Sequence, residues 1–193
     1  MERPIFQSIG QALHVSFLMD TLPVTQKGNT QAMLERLMEE AGVPREIRRD
    51  GSLNFSGLSP MEVRGQCAMV RGAVGHHCTA MEAHAIRAWF AHDASKAEGV
   101  RQLRDFFGGL FTIESPQAQM LIVWHIHAQG RARDLCTERA IAGEHGLSQS
   151  TVHRNIVAVG RACAGPRVAG MRRLEALFQR DGLVESTERP VTV

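Results

Sequence analysis

The sequence predicts an all-α protein, a helical bundle followed by a C-terminal helix-turn-helix unit. Three observations carry that prediction. Helix-start signals recur: Ser59-Pro60-Met61-Glu62, Thr79-Ala80-Met81-Glu82 and Ser95-Lys96-Ala97-Glu98 each place a hydroxyl three residues ahead of a carboxylate. In that register the hydroxyl accepts from first-turn N–H groups and the carboxylate reaches back to the cap's own N–H. Behind these signals apolar residues return every three or four positions, the period of one helix face. The segments between are short, which favours antiparallel neighbours.

Ile9 to Met19 and Thr30 to Ala41 read as helices, the second with Met33, Leu34, Leu37 and Met38 on one side. Gly42 and Pro44 stop it. Residues 1–43 form an N-terminal helical element, mobile or dimerising, and 44–58 a linker in which Leu53-Asn54-Phe55 is the one place for a short strand or extended arm. The bundle spans 59–130, with helices at about 60–74, 80–92, 96–107 and 116–128, the last announced by Ser115-Pro116. Its stripes are Val63, Cys67, Val70 and Val74, then Ala85, Ile86, Trp89 and Phe90, then Val100, Leu103, Phe106 and Phe107. The helix-turn-helix unit covers 131–182. Within it Gly165-Pro166 starts a final helix carrying Val168, Met171, Leu174, Leu177 and Phe178. Residues 183–193 read as a disordered tail.

The chain has 193 residues, of which 44% are hydrophobic and 22% charged, enough for one large or two small globular cores. No apolar run reaches membrane-spanning length, the longest being Met120 to Trp124. The N-terminus lacks the basic and then apolar pattern of a signal peptide. Cys67, Cys78, Cys136 and Cys163 have no paired spacing and read as reduced thiols in a cytoplasmic protein.

Thr137 to Cys163 is the segment that points to a particular chemistry. Thr137 caps a helix with Glu138 in its first turn, Ile141 faces inward, and Ala142 is small where two helices cross. Gly146 ends that helix, Leu147 inserts from the turn, and Ser148 caps a second helix whose Val152 and Ile156 face inward. The opposite face offers Gln149, Ser150, Thr151, His153, Arg154 and Asn155. Short polar groups there suit base edges and phosphates, and Arg154 is long enough for a bidentate contact with guanine. Residues 131–180 hold nine Arg and no Lys, against Asp134, Glu138, Glu144 and Glu175, on a chain of formal charge only +2. Such a local excess attracts the phosphate backbone.

This 27-residue segment resembles the helix-turn-helix of bacterial and phage transcription regulators, including the promoter-reading region of sigma factors. Ala142, Gly146, Leu147, Val152 and Ile156 fall on the family's positions, while His145 stands where an apolar residue is usual. More broadly, NFSGLSPMEVRGQCAMVRGAV (54–74) followed by helices and this unit is similar to prophage-borne regulators, loosely to Q-type late-gene antiterminators. One type of these carries a four-cysteine zinc motif, which this chain lacks, so the similarity is to the zinc-free type. The resemblance implies a DNA-binding regulator with Ser148, Gln149, Ser150, Thr151, His153, Arg154 and Arg161 at the DNA. The implied partners are double-stranded DNA, RNA polymerase or a sigma factor, and a second copy of the chain, with no membrane.

Several other readings remain. Cys67, His76, His77 and Cys78 lie around one inter-helix turn, with His84 and His92 on the next helix, from which a zinc site could be drawn, yet adjacent His76 and His77 make poor co-ligands and no C-x-x-C is present. His125 and His127 alternate on a helix and point apart. No metal and no cofactor are expected. There is no phosphate loop, G-x-S-x-G or H-E-x-x-H, so no enzyme is expected. The alternatives to an antiterminator or activator are a dimeric repressor and a helical protein-interaction module that does not bind DNA.

Overall fold

A computed structural model describes residues 4–22, 30–40, 42–43, 55, 57–92, 94–129 and 131–185. Hydroxyl caps set most helix starts. Ser8 accepts from the Gln11 N–H and opens α1 (Ile9–Thr21). α2 covers Thr30–Glu40. Ser59 and Thr79 form complete capping boxes with Glu62 and Glu82 and open α3 (Pro60–His77) and α4 (Ala80–Phe90). The third expected start is misplaced: α5 already runs from Ala94 to Phe106, so Ser95 lies inside the helix and Glu98 pairs with Arg101 at 2.7 Å instead. A 3-10 turn at Gly108–Leu110 leads to α6 (Pro116–His127), capped by Ser115. Then come a short α7 (Arg131–Leu135), α8 (Glu138–Glu144) and α9 (Gln149–Arg180).

Among the described residues all regular structure is helical, apart from one isolated bridge between Phe6 and Val184. Leu53 and Asn54, where a strand was expected, lie outside the described residues, as does most of 44–58. Phe55 is in no strand and meets Phe6 edge-on at 6.5 Å.

The core falls into three clusters. The first joins α1, Leu34 and Met38 of α2, the Val63-Cys67-Val70-Val74 stripe of α3, Ile86 and Phe90 of α4, and Leu174 and Phe178 of α9. The second joins Ala85, Ala88, Val100, Leu103 and Val123 to Val159 and Cys163. The third joins Ile113, Ala118 and Ile122 to Ile141, Ala142 and Val152. α9 threads all three, because its buried residues return every three or four positions on either side of one seven-residue step from Cys163 to Gly170. Phe106, expected on a core stripe, is 65% exposed. It ends α5, one turn beyond buried Leu103.

The separate final helix expected at Gly165-Pro166 does not exist: α9 is continuous and Pro166 lies inside it. An interior proline forfeits one backbone hydrogen bond and costs about 3 kcal/mol. Burial on both sides outweighs that loss, with Val159 and Cys163 before the proline and Gly170, Leu174 and Phe178 after it. Gly170 lies tight against α4, where a Cβ would lie 2.9 Å from Ile86 Cδ1.

The expected disordered tail begins too early at 183. Leu183 N–H donates to Phe178 O, and Phe6 and Glu185 N–H groups donate to Leu183 O and Phe6 O at 3.0 and 3.1 Å. Val184 is buried in the first cluster. Residues 186–193 lie outside the described set.

Three cationic side chains tie helix ends together. Arg64 and Arg71 of α3 donate to Met19 O, Leu22 O and Ser16 O at the end of α1, and Arg71 also pairs with Asp20 at 2.8 Å. Buried Lys96 donates to Ala88 O at 2.7 Å and His127 O at 3.0 Å, serving carbonyls near the ends of α4 and α6. Its burial pulls the ammonium down to about 8.

Candidate nucleic-acid interface

The turn between α8 and α9 is assembled from its sequence signals. Thr137 accepts from the Ala140 N–H. Gly146 takes φ +63°, and Leu147 N–H donates back to Ala142 O at 2.9 Å, the closing bond of a glycine-terminated helix. Leu147 packs on the third cluster, with Ile141, Ala142 and Val152 buried. From behind, His125 Nδ1 meets Cys136 O at 2.6 Å and Cys136 Sγ donates to Leu121 O, so α6 holds the approach to α8.

α9 then begins with an exposed polar turn. Ser148, Gln149 and Ser150 are exposed, Thr151 is half-buried, and His153, Arg154 and Arg161 are exposed. Ser148 Oγ accepts from Thr151 N–H at 3.1 Å and lies 3.0 and 2.8 Å from the Ser150 and Thr151 hydroxyls. Those three hydroxyls share one cap network. Arg154 lies above it, its Nη2 3.4 Å from Thr151 Oγ1. Arg161 sits two turns further along.

Asn155 does not belong to the exposed face. It is 2% exposed, accepts from Thr112 N–H at 2.9 Å, and donates to Thr112 Oγ1 and Thr151 O at 2.8 Å each. Its position follows from the period: 155 lies three residues after Val152 and four before Val159, on the buried stripe. The amide anchors α9 to the segment ahead of α6. A second link, unforeseen in the sequence, joins His153 Nδ1 to Glu138 Oε1 at 3.1 Å across the turn. Glu138 and His153 are fifteen residues apart, so no local pattern marks the pair.

Charge near the turn is smaller than the arginine count suggests. Arg133, Arg139, Arg154, Arg161 and Arg172 are exposed. Arg167 stacks on Trp89 at 3.7 Å, Arg173 pairs with Glu82 at 3.2 Å, and Arg180 pairs with Asp181 at 2.9 Å. Those three serve the far end of α9. His145 is half-buried beside Trp124, Met120 and Glu144, and its Nε2 is enclosed without a hydrogen-bond partner.

The His/Cys residues disperse. Cys67 is in the first core, Cys78 Sγ faces Gly170 O at 3.9 Å, and His76 and His77 are exposed. Burial raises the Cys67 thiol and pushes the Cys78 thiol up to about 11. Among the described residues no three His, Cys, Asp or Glu side chains converge as a metal-ligand set. His127 is buried while His125 is half-buried, so the two rings serve different surroundings. No described helix is long and apolar enough to cross a membrane. No protein-family model matches the chain, and no curated protein matches it.

Proposed function

We propose that this chain is a sequence-specific DNA-binding transcription regulator that reads double-stranded DNA with the first turns of α9. The observation that carries the reading is the joint exposure of Gln149, Ser150, His153 and Arg154 at the start of a long helix whose other face is buried. A helix N-terminus offers N–H groups and a positive dipole end to phosphate. Gln149 and Arg154 add groups suited to adenine and guanine edges. Arg161, two turns along, suits a backbone phosphate. The helix-turn-helix resemblance supports the same residues, and the similarity to prophage regulators favours an antiterminator or activator that also contacts RNA polymerase. A dimeric repressor is the alternative within this class.

Selection of bound duplexes from a random pool, followed by titration at several salt concentrations, tests the reading. Arg161→Ala is expected to weaken binding evenly across sequences and lower the salt slope by about one. Arg154→Ala is expected to relax the preferred sequence as well. A wild-type protein that retains no duplex at low salt refutes the proposal.

One observation favours a second reading, a protein-interaction module. Phe106 and Leu110 are 65% and 46% exposed, and Leu110 shares a cavity of about 270 Å³ with Arg154. An exposed apolar pair of this kind suits a protein partner. Substituting Phe106 without loss of a partner's binding removes that reading.

A further inference from the structure

On the premise that α9 reads DNA, as proposed above, we infer that Glu138 fixes the tautomer of His153 and makes it a specificity-determining acceptor for an amino base, adenine or cytosine. His153 Nδ1 lies 3.1 and 3.3 Å from the two carboxylate oxygens of Glu138. A carboxylate only accepts, so the proton of a neutral imidazole sits on Nδ1 and donates to it. Nε2 is left with its lone pair. Among the described residues Nε2 has no hydrogen-bond partner, and the His153 side chain is 60% exposed, on the face that also carries Gln149 and Arg154.

The pair is poorly suited to be a staple alone. An ion pair this exposed adds little to stability. A carboxylate at the edge of a face that meets DNA also repels the phosphates it approaches. Glu138 is the less exposed partner, its side chain 25% accessible at the start of α8. The turn closed by the Leu147 N–H to Ala142 O bond fixes the two helices, so the carboxylate selects one ring orientation as well as one tautomer. In the major groove adenine and cytosine present exocyclic amines, whereas guanine and thymine present carbonyl oxygens. A bare Nε2 accepts from either amine and is repelled by either carbonyl. Without Glu138 the ring takes its proton on Nε2, the tautomer an unpaired imidazole favours in water, and Nε2–H donates to the carbonyls instead. Arg154 only donates, so an acceptor next to it in the chain widens the set of bases this face can tell apart. Glu138 touches no base; it is a positioning residue that acts through His153.

Two measurements test the inference. The first needs no DNA: a long-range proton–nitrogen correlation spectrum of the full chain at about pH 8, where imidazoles are neutral. His153, assigned by its absence in His153→Ala, is expected to show a protonated Nδ1 and a bare Nε2. Glu138→Ala is expected to move the proton toward Nε2. The second is selection of duplexes from a random pool. The wild type is expected to enrich adenine or cytosine at one position, where His153→Ala shows no preference. Glu138→Ala is expected to turn that preference toward guanine or thymine by about tenfold. Removal of a charge alone would instead strengthen binding evenly across sequences. A wild-type ring with its proton on Nε2 overturns the inference whatever DNA is bound. So does a Glu138→Ala variant that selects the same bases as the wild type, a result that leaves the DNA reading intact. A wild type that retains no duplex overturns the DNA reading and this inference with it.

Discussion

Between Gln149 and Arg161, α9 turns glutamine, serine, histidine and arginine outward on an exposed face. Between Pro166 and Arg180 the same helix commits three of its four arginines to partners: Arg167 to Trp89, Arg173 to Glu82 and Arg180 to Asp181. One end is held by a cap, a glycine turn and the buried Asn155 amide. The other is wedged against α1, α3 and α4 through Gly170, Leu174 and Phe178. The contrast teaches that arginine abundance does not by itself mark a nucleic-acid surface. Which arginines have intramolecular partners decides how much charge is left to attract phosphate.

The comparison predicts a division between changes that cost stability and changes that cost binding. The largest stability effect is acid sensitivity of the core. His14 and His127 are buried, and burial, reinforced by neighbouring cations, lowers both to about 3. In the unfolded chain each titrates near 6.5. Below pH 6.5 the unfolded state therefore binds more protons. Stability falls from there toward pH 3, by up to about 1.4 kcal/mol per pH unit for each ring. Urea unfolding at pH 7 and pH 5 should show the loss, with a shallower slope for His127→Phe and an unchanged slope for Gln149→Ala. Equal stability at both pH values would contradict neutral burial.

Leu174→Ala, at the wedged end of α9, is expected to cost about 2–5 kcal/mol in the same assay, because a fully buried side chain leaves a cavity. Asn155→Ala comes next. Leaving the Thr112 N–H without its acceptor should cost about 1–3 kcal/mol. A near-neutral Asn155→Ala would mean that the residue is not an anchor. Smallest is Gln149→Ala, whose effect on unfolding should stay within about 0.5 kcal/mol.

Local signals made much of this fold legible. The Ser59 and Thr79 boxes, the Ser115, Thr137 and Ser148 caps and the Gly146 stop all stand where the residues placed them. The errors arose where distant packing outweighed local preference. Pro166 reads as a helix start, yet tertiary burial carries α9 through it. Phe106 continues a spacing but lies past the end of its core. Leu183 and Val184 look like the start of a tail, but their partner Phe6 is about 180 residues away. Within the candidate site, exposure at Gln149, Ser150, His153 and Arg154 followed from helical phase. Asn155 needed the phase of the whole helix, and the links to Thr112 and Glu138 needed the fold. Lys96, one of only two lysines, gave no sign that it would clamp two helix ends.

The most direct test of the central claim is a titration of a selected DNA duplex with wild type, Arg154→Ala and the Gln149→Ala/Arg154→Ala double variant, followed by fluorescence anisotropy at low salt. The account predicts that losing Arg154 weakens specific binding by about 1–3 kcal/mol, that the double variant binds more weakly still, and that all three proteins unfold at nearly the same urea concentration. Identical affinities for the three proteins would contradict it.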